Sequence, residues 1–280
     1  MARLSVNKTY KLYIGGKFPR TESGRYYSLK NKQGKLLANV CLSSRKDFRN
    51  AVVAARKAQP AWEATGATLK GQILYRVAEM LEGRREQLIQ ELRLAGATPK
   101  AAEREVDATT DLLVYYAGWT DKYSQIFSSV NPVGSPHFNF SRPEATGVIA
   151  LLADGSSGLL GLVGGLAPLL CGGNAVVALA SKKSPLAAIT FGEVLHTSDV
   201  PAGVVNLLTG DVKELLPPLS THLDVNGVAA YAASAATWKT MQENASLNIR
   251  RVNHYAAVAE DPYRILDFTE IKTTWHPVGS

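Results

Sequence analysis

The chain has 280 residues, 46% of them hydrophobic, so it can bury a full core as one large domain or two small ones. Its formal net charge is +7, but the basic residues form scattered pairs without interleaved aromatics, which disfavours a nucleic-acid partner. We find no signal peptide and no apolar run long enough to cross a bilayer, so no membrane association is expected. Cys41 and Cys171 lie far apart outside any CxxC pattern, which favours a reducing, cytoplasmic location.

The first half of the chain is predicted to be short strands followed by helices. Gly15–Gly16 predicts a hairpin over residues 10–18, and further short strands are expected at residues 24–29 and 34–41. Apolar residues at helical spacing predict three helices, which cover residues 44–59, 68–94 and 99–123. The first of these should end at Pro60.

The second half is predicted to be a parallel sheet covered by helices. After a strand at residues 137–143, residues 147–185 give an apolar run, a glycine-serine turn, an apolar helix and a second apolar run, which is one βαβ unit. Strands at 203–208, 225–233 and 249–259 alternate with helices at 186–196, 215–219 and 235–243. The sequence thus predicts an α/β fold with a Rossmann-like sheet over residues 147–259, a helical N-terminal region and a final strand at residues 265–275.

Candidate chemistry is sparse in this pattern. Cys171 lies in an apolar helix and Cys41 ends a strand, so both thiols are predicted to be buried and inert. The five histidines show no i,i+4 pair and no acidic cluster, so no metal site is predicted. The glycines of residues 158–165 lack the GxGxxG order and predict a tightly packed helix rather than a phosphate loop. Asp154 is expected to cap that helix and to repel a pyrophosphate.

From Tyr10 onward the sequence resembles the aldehyde dehydrogenase family. The resemblance is carried by residues 12–18, residues 73–88, YYAGWTDK at 115–122, PAGVVNLLTG at 201–210 and an ungapped alignment over 147–185. It implies a cofactor-domain-like α/β domain over residues 1–260, with an oligomerisation strand around residues 137–143. It also implies a C-terminal oligomerisation strand over residues 261–280, which would complete a small antiparallel sheet.

The departures from the family affect its cofactor anchors and its catalytic groups. Ser156 stands where the family turn Pro-Trp-Asn-Phe-Pro supplies an oxyanion-stabilising Asn. Leu179 and Lys182 replace the Lys and Glu that bind the adenosine ribose. Residues 230–233 replace the Phe-Thr-Gly-Ser motif at the pyrophosphate, and Tyr255 replaces the general base.

The lobe that carries the family's nucleophilic cysteine has no counterpart after residue 260. The resemblance therefore extends to the degenerate, non-catalytic C-terminal half of the tandem family-16 aldehyde dehydrogenases, with the catalytic lobe absent. It implies a pseudoenzyme with no catalytic, cofactor-binding or metal-binding residues and no bound cofactor, since the NAD anchors are replaced.

The resemblance implies a structural or regulatory subunit, either a homodimer or a hetero-oligomer with a catalytic aldehyde dehydrogenase chain. Its interface would consist of apolar residues on the two oligomerisation strands, namely Phe138, Phe140, Phe268, Ile271 and Trp275. Two alternatives stay open: a residual NAD- or nucleotide-binding module of an oxidoreductase, and a basic nucleic-acid binder.

Overall fold

The computed structural model describes residues 8–31 and 33–279, and it has the α/β architecture that the sequence predicts. The strands are β1 (Thr9–Tyr10), β2 (Tyr26–Lys30), β3 (Leu36–Cys41), β4 (Ser129–Asn131), β5 (His137–Ala145), β6 (Val148–Leu152), β7 (Ala175–Leu179), β8 (Val205–Leu208), β9 (Gly227–Tyr231), β10 (Arg251–Tyr255) and β11 (Thr269–Pro277). The helices are α1 (Arg45–Ala64), α2 (Ala67–Glu82), α3 (Arg85–Leu94), α4 (Pro99–Ala117), α5 (Tyr123–Phe127), α6 (Leu160–Cys171), α7 (Pro185–His196), α8 (Val212–Thr221), α9 (Ala235–Ser246) and α10 (Tyr263–Leu266).

A five-stranded parallel sheet forms the centre of the fold, in the order β10-β9-β6-β7-β8. β6, β7, β8 and β9 are buried along their whole length, as expected for small and β-branched residues in a sheet with helices on both faces. The chain runs outward from β6 through β7 and β8, then returns to the other side of β6 with β9 and β10. This reversal makes a topological switch point between β6 and β9, where α/β folds form a crevice at the carboxyl ends of the strands.

The helices of the N-terminal region differ from the sequence prediction at their ends. The expected helix over residues 68–94 is two helices, α2 and α3, because the chain turns at Gly83–Arg84. The helix over 99–123 likewise divides into α4 and α5. α1 continues through Pro60 to Ala64, because the fully buried Trp62 packs beyond the proline and donates to the Leu170 carbonyl (3.2 Å). Tertiary packing outweighs the hydrogen bond that Pro60 removes.

A small antiparallel sheet, β11-β5-β4, lies apart from the parallel one. β11 pairs with β5 from Thr269 opposite Ala145 to Pro277 opposite His137, and β4 pairs with the other edge of β5. The predicted pairing of the final strand with the strand near residue 140 is confirmed. No helix among residues 8–31 and 33–279 is both long and apolar enough to cross a membrane.

Residues 256–268 connect β10 to β11 and pack closely on the rest of the fold. The Tyr116 hydroxyl donates to the Ala259 carbonyl (3.0 Å), and the Val258 side chain rests on Gly164 of α6, where an added Cβ would lie 2.1 Å from Val258 Cγ1. Phe268 lies against Gly227 at the start of β9. Residues 256–268 are therefore packed directly on α4, α6 and β9.

Candidate functional site

A cavity of about 410 Å³ opens at the carboxyl ends of β6, β7 and β9, across the switch point. Its walls come from the ends of four strands and the loops that follow them: Leu152, Ala153 and Gly155 at β6, Ala180–Lys183 at β7, Asp211–Lys213 at β8, and Tyr231–Ser234 at β9. Both its place in the topology and its size are those of a ligand site in an α/β fold.

A larger cleft of about 630 Å³ lies elsewhere, between α1, α2, α5 and β5. Its charged groups already have partners within the protein. The Lys70 ammonium donates to the Glu63 carbonyl (2.9 Å), and Arg142 pairs with Glu144 (2.7 Å). Burial lowers the pKa of Lys70. We therefore place the candidate ligand site at the switch point.

The N-terminus of α6 is occupied by a carboxylate from another helix. Glu105 of α4 accepts hydrogen bonds from the N–H groups of Leu159 (2.8 Å) and Leu160 (3.2 Å). Asp154, which was expected to cap this helix, accepts instead from the N–H (2.7 Å) and hydroxyl (2.8 Å) of Ser156. That expectation is wrong, because the Asp154 carboxylate already accepts two hydrogen bonds from Ser156 within its own turn. A phosphate at the α6 N-terminus would meet the negative charge of Glu105.

The N-terminus of α9 is open to the cavity. Ser234 is the N-cap and accepts from the N–H of Thr237 (3.2 Å), which leaves the N–H groups of Ala235 and Ala236 without a partner inside the helix. Ala232, in the turn before this cap, has φ +47°, a left-handed conformation that costs about 1–2 kcal/mol for a residue other than glycine. Exposed N–H groups at the start of a helix are ready donors for a phosphate.

The charged side chains around the cavity carry a positive surplus. Lys182 Nζ lies 3.0 Å from Asp211 Oδ2, and this contact holds the pKa of Asp211 below its usual value. Lys183 and Lys213 also line the cavity and are exposed, and neither forms an ion pair in the described part of the chain. Three lysines against one aspartate suit an anionic ligand.

Tyr231 lines the β9 end of the cavity and packs against Tyr255, with ring centroids 4.8 Å apart and ring planes tilted by 35°. The Tyr255 hydroxyl donates to Asp267 Oδ2 (2.6 Å), and the Arg264 guanidinium covers the Tyr255 ring at 4.8 Å. Burial raises the pKa of Tyr231 to about 12, and burial together with the Asp267 hydrogen bond raises that of Tyr255. Both phenols therefore stay protonated, and Tyr231 forms the wall of the cavity at this end.

Both thiols lie outside the cavity. Cys41 and Cys171 are free and buried, as the sequence predicts, and burial raises the pKa of each. Within the described residues no group of three His, Cys, Asp or Glu side chains could hold a metal ion.

The predicted interface residues divide into exposed and buried sets. Ile271 (56% exposed), Trp275 (57%) and Phe138 (46%) present apolar surface, and Phe140 is half-buried. Phe268 is 1% exposed and packs in the core before β11 begins, so it adds no exposed apolar surface to this set. The β5–β11 register puts Ile271 and Trp275 on the sheet face opposite to Phe138 and Phe140.

The comparisons with known proteins point to one family. The sequence model described as "Aldehyde dehydrogenase family" matches residues 18–273. Retinal dehydrogenase 2 of Mus musculus is 31% identical over 252 residues, covering 88% of this chain and 48% of that protein. Cytosolic 10-formyltetrahydrofolate dehydrogenase of Mus musculus is 28% identical over 257 residues, covering 90% of this chain and 28% of that protein. The chain spans half or less of the length of these curated relatives.

Solved structures agree with these sequence matches. The NAD+ complex of aldehyde dehydrogenase from Bacillus cereus superposes with a TM-score of 0.83 at 26% identity, covering 88% of this chain and 50% of that one. PnpE in complex with nicotinamide adenine dinucleotide gives a TM-score of 0.83 at 28% identity, with the same two coverages.

These matches correct two expectations from the sequence. The expectation that the protein is not an enzyme is wrong, because the matched relatives and structures are dehydrogenases. The expectation of no cofactor is also wrong, because matched structures hold nicotinamide adenine dinucleotide. The cofactor expectation weighed individual side-chain anchors, whereas the crevice at the switch point and the helix N–H groups come from the backbone.

Sequence reasoning also missed the residues that shape the cavity. The sequence identified Lys182 only as a replacement for a ribose-binding Glu and did not single out Lys183, although their place directly after a buried strand was a usable signal. Asp211 and Lys213 follow a different strand, and their approach to Lys182 depends on the fold. Glu105 is far from α6 in sequence, and no local pattern marks it as the partner of that helix.

Proposed function

We propose, since the chain belongs to the aldehyde dehydrogenase family, that it binds a nicotinamide adenine dinucleotide in the cavity at the switch point and is the nucleotide-binding part of an aldehyde-oxidising dehydrogenase. The observation that carries the proposal is the cavity itself, which lies across the carboxyl ends of β6 and β9 where the strand order reverses.

The residues around the cavity fit such a ligand. The free N–H groups of Ala235 and Ala236 and the hydroxyl of Ser234 suit the pyrophosphate, because they offer donors at the positive end of a helix. Lys183 and Lys213 add positive charge. Glu105 already occupies the N-terminus of α6, so we give phosphate binding to the N-terminus of α9.

Each part of the chain has a limited task in this proposal. The bound dinucleotide supplies a nicotinamide ring that accepts or gives a hydride. Ser234 and the first turn of α9 hold the phosphates. Leu152, Val212 and the protonated Tyr231 offer apolar surface that keeps water from the rings.

The test places a negative charge at the proposed phosphate site without removing the helix cap. We expect Ser234→Asp to weaken NAD and NADP binding in calorimetry by about tenfold or more, because Asp caps a helix as well as Ser does but repels a phosphate. The matched control is Thr98→Asp at the exposed N-cap of α4, which should bind like the parent. If the parent shows no binding at a ligand concentration of about 1 mM, or if both variants bind alike, the proposed site is wrong.

A second proposal concerns assembly and rests on the exposed surface of β11. Ile271 and Trp275 lie on one face of a strand whose outer edge is unpaired in the described structure. An open edge with apolar side chains favours pairing with another chain. We propose that the protein forms a homo-oligomer through this sheet. Pairing with a second aldehyde dehydrogenase chain is the other outcome that the experiment distinguishes.

We also keep the expected cytoplasmic location, which the two free thiols support.

Light scattering on side-chain variants of β11 tests the assembly. We expect Ile271→Thr with Trp275→Thr to lower the mass of the purified protein, since Thr suits a strand but removes most of the apolar area. Leu69→Thr with Tyr75→Thr, on exposed positions of α2, is the control and should leave the mass unchanged. A monomeric parent would contradict the homo-oligomer. If the parent gains mass only when mixed with another aldehyde dehydrogenase, the hetero-oligomer is supported.

A further inference from the structure

We propose that the adenosine end of the cavity takes a ribose carrying a 2′-phosphate, so that the chain prefers NADP to NAD. This inference rests on the proposed function and concerns the turn after β7, which holds Ser181, Lys182 and Lys183. In dinucleotide-binding βαβ units, an acidic residue near the end of the second strand accepts the 2′-hydroxyl of NAD, whereas a basic residue there accommodates the 2′-phosphate of NADP.

The turn after β7 offers donors where NAD would need an acceptor. Ser181 is buried, and its Oγ accepts the N–H of Lys183 (3.3 Å), so its own hydroxyl proton is free to donate. The ammonium groups of Lys182 and Lys183 follow directly in sequence, and both side chains are exposed at the cavity. A hydroxyl with two ammonium groups forms a set of donors for a phosphate dianion.

The one carboxylate that lines the cavity is engaged. Asp211 Oδ2 contacts Lys182 Nζ at 3.0 Å, and Asp211 Oδ1 accepts the N–H of Lys213 (2.9 Å) as the N-cap of α8. A neutral 2′-hydroxyl would have to compete with an ammonium group for this carboxylate. A 2′-phosphate would instead bring negative charge to the surplus lysines.

The positive surface continues beyond the cavity. A neighbouring depression of about 430 Å³ shares Lys183 and is also lined by Lys30 and Arg93. Neither Lys30 nor Arg93 forms an ion pair in the described part of the chain. The field at the turn after β7 is therefore set by several like charges, and it favours the more anionic of the two dinucleotides.

Calorimetric titration of the full chain with NADP and with NAD tests this inference. We expect NADP to bind about tenfold tighter, the size of effect that one charge-assisted contact gives. Lys182→Gln should remove most of this preference by weakening NADP binding about tenfold while changing NAD binding less than about twofold. The shorter probes adenosine 2′,5′-bisphosphate and 5′-AMP should show the same difference.

Lys57→Gln is the matched control. Lys57 is exposed on α1, and its neighbour Ala58 lies close to Gly203 just before β8, so Lys57 is near the amino-terminal ends of the strands, away from the cavity. If neither dinucleotide binds the parent, the proposed function fails. If NAD binds as tightly as NADP, the function stands and this inference is overturned. A preference for NADP that survives in Lys182→Gln would overturn the role given to Lys182.

Discussion

Glu105 shows how a single side chain settles which helix can bind a phosphate. Its carboxylate accepts two N–H groups of the first turn of α6 and so supplies the cap that Leu159, the N-cap residue, cannot. The bonds join α4 to α6 as well as completing the helix. Two of the first donors of α6 are consequently satisfied by a carboxylate, whereas the N–H groups of Ala235 and Ala236 in α9 meet no such side chain within the described residues.

We expect Glu105→Gln to lower the free energy of unfolding by about 1–2 kcal/mol, because an amide oxygen still accepts but the charge that favours the helix dipole is lost. Urea unfolding measures this change. Glu103→Gln, on an exposed position of the same helix, should change stability by less than about 0.5 kcal/mol. Equal effects in the two variants would show that the α6 cap contributes nothing.

At the scale of elements, the sequence predicts a strand or helix correctly where the local pattern of apolar and turn residues is enough to define it. The parallel strands were predicted correctly because their apolar runs are bounded by turns, and Gly15 and Gly16 do form a tight turn, with φ +59° and +72°. The errors concern where helices end. Pro60 does not stop α1, and α8 runs past Pro217–Pro218 to Thr221 instead of ending at residue 219, because buried side chains that follow the prolines hold both helices in place. The candidate site was harder to predict, since four separate loops build it.

At the scale of the whole molecule, one close contact joins the connection between β10 and β11 to the core. Gly164 of α6 leaves room for Val258, and any Cβ at that position would overlap the valine. Tyr231, which lines the cavity, and the adjacent Tyr255 both form hydrogen bonds with residues of the same connection. Packing at this point therefore supports the site as well as the fold.

We expect Gly164→Ala to destabilise the protein by about 1–3 kcal/mol through overpacking. Adding Val258→Ala should restore part of this loss, with a coupling energy of about 1 kcal/mol or more in a double-mutant cycle. Gly83→Ala is the control, since its Cβ would meet no atom closer than 3.6 Å. Additive effects of the two substitutions would mean that the contact between Gly164 and Val258 is not held in solution.

The register of β11 on β5 has a consequence for how the chain reaches its fold. Thr269 pairs with Ala145 across nearly half the chain, whereas β4 covers only the part of β5 around Phe140. Pairing between segments so far apart is slow, because the entropy of closing the intervening loop opposes it until the contacts form. Until β11 arrives, β5 presents an open edge with Phe138 beside it, and newly made chains can join there. We therefore expect closure of this sheet to be the late step of folding, and protein concentration to govern the yield of native protein on refolding.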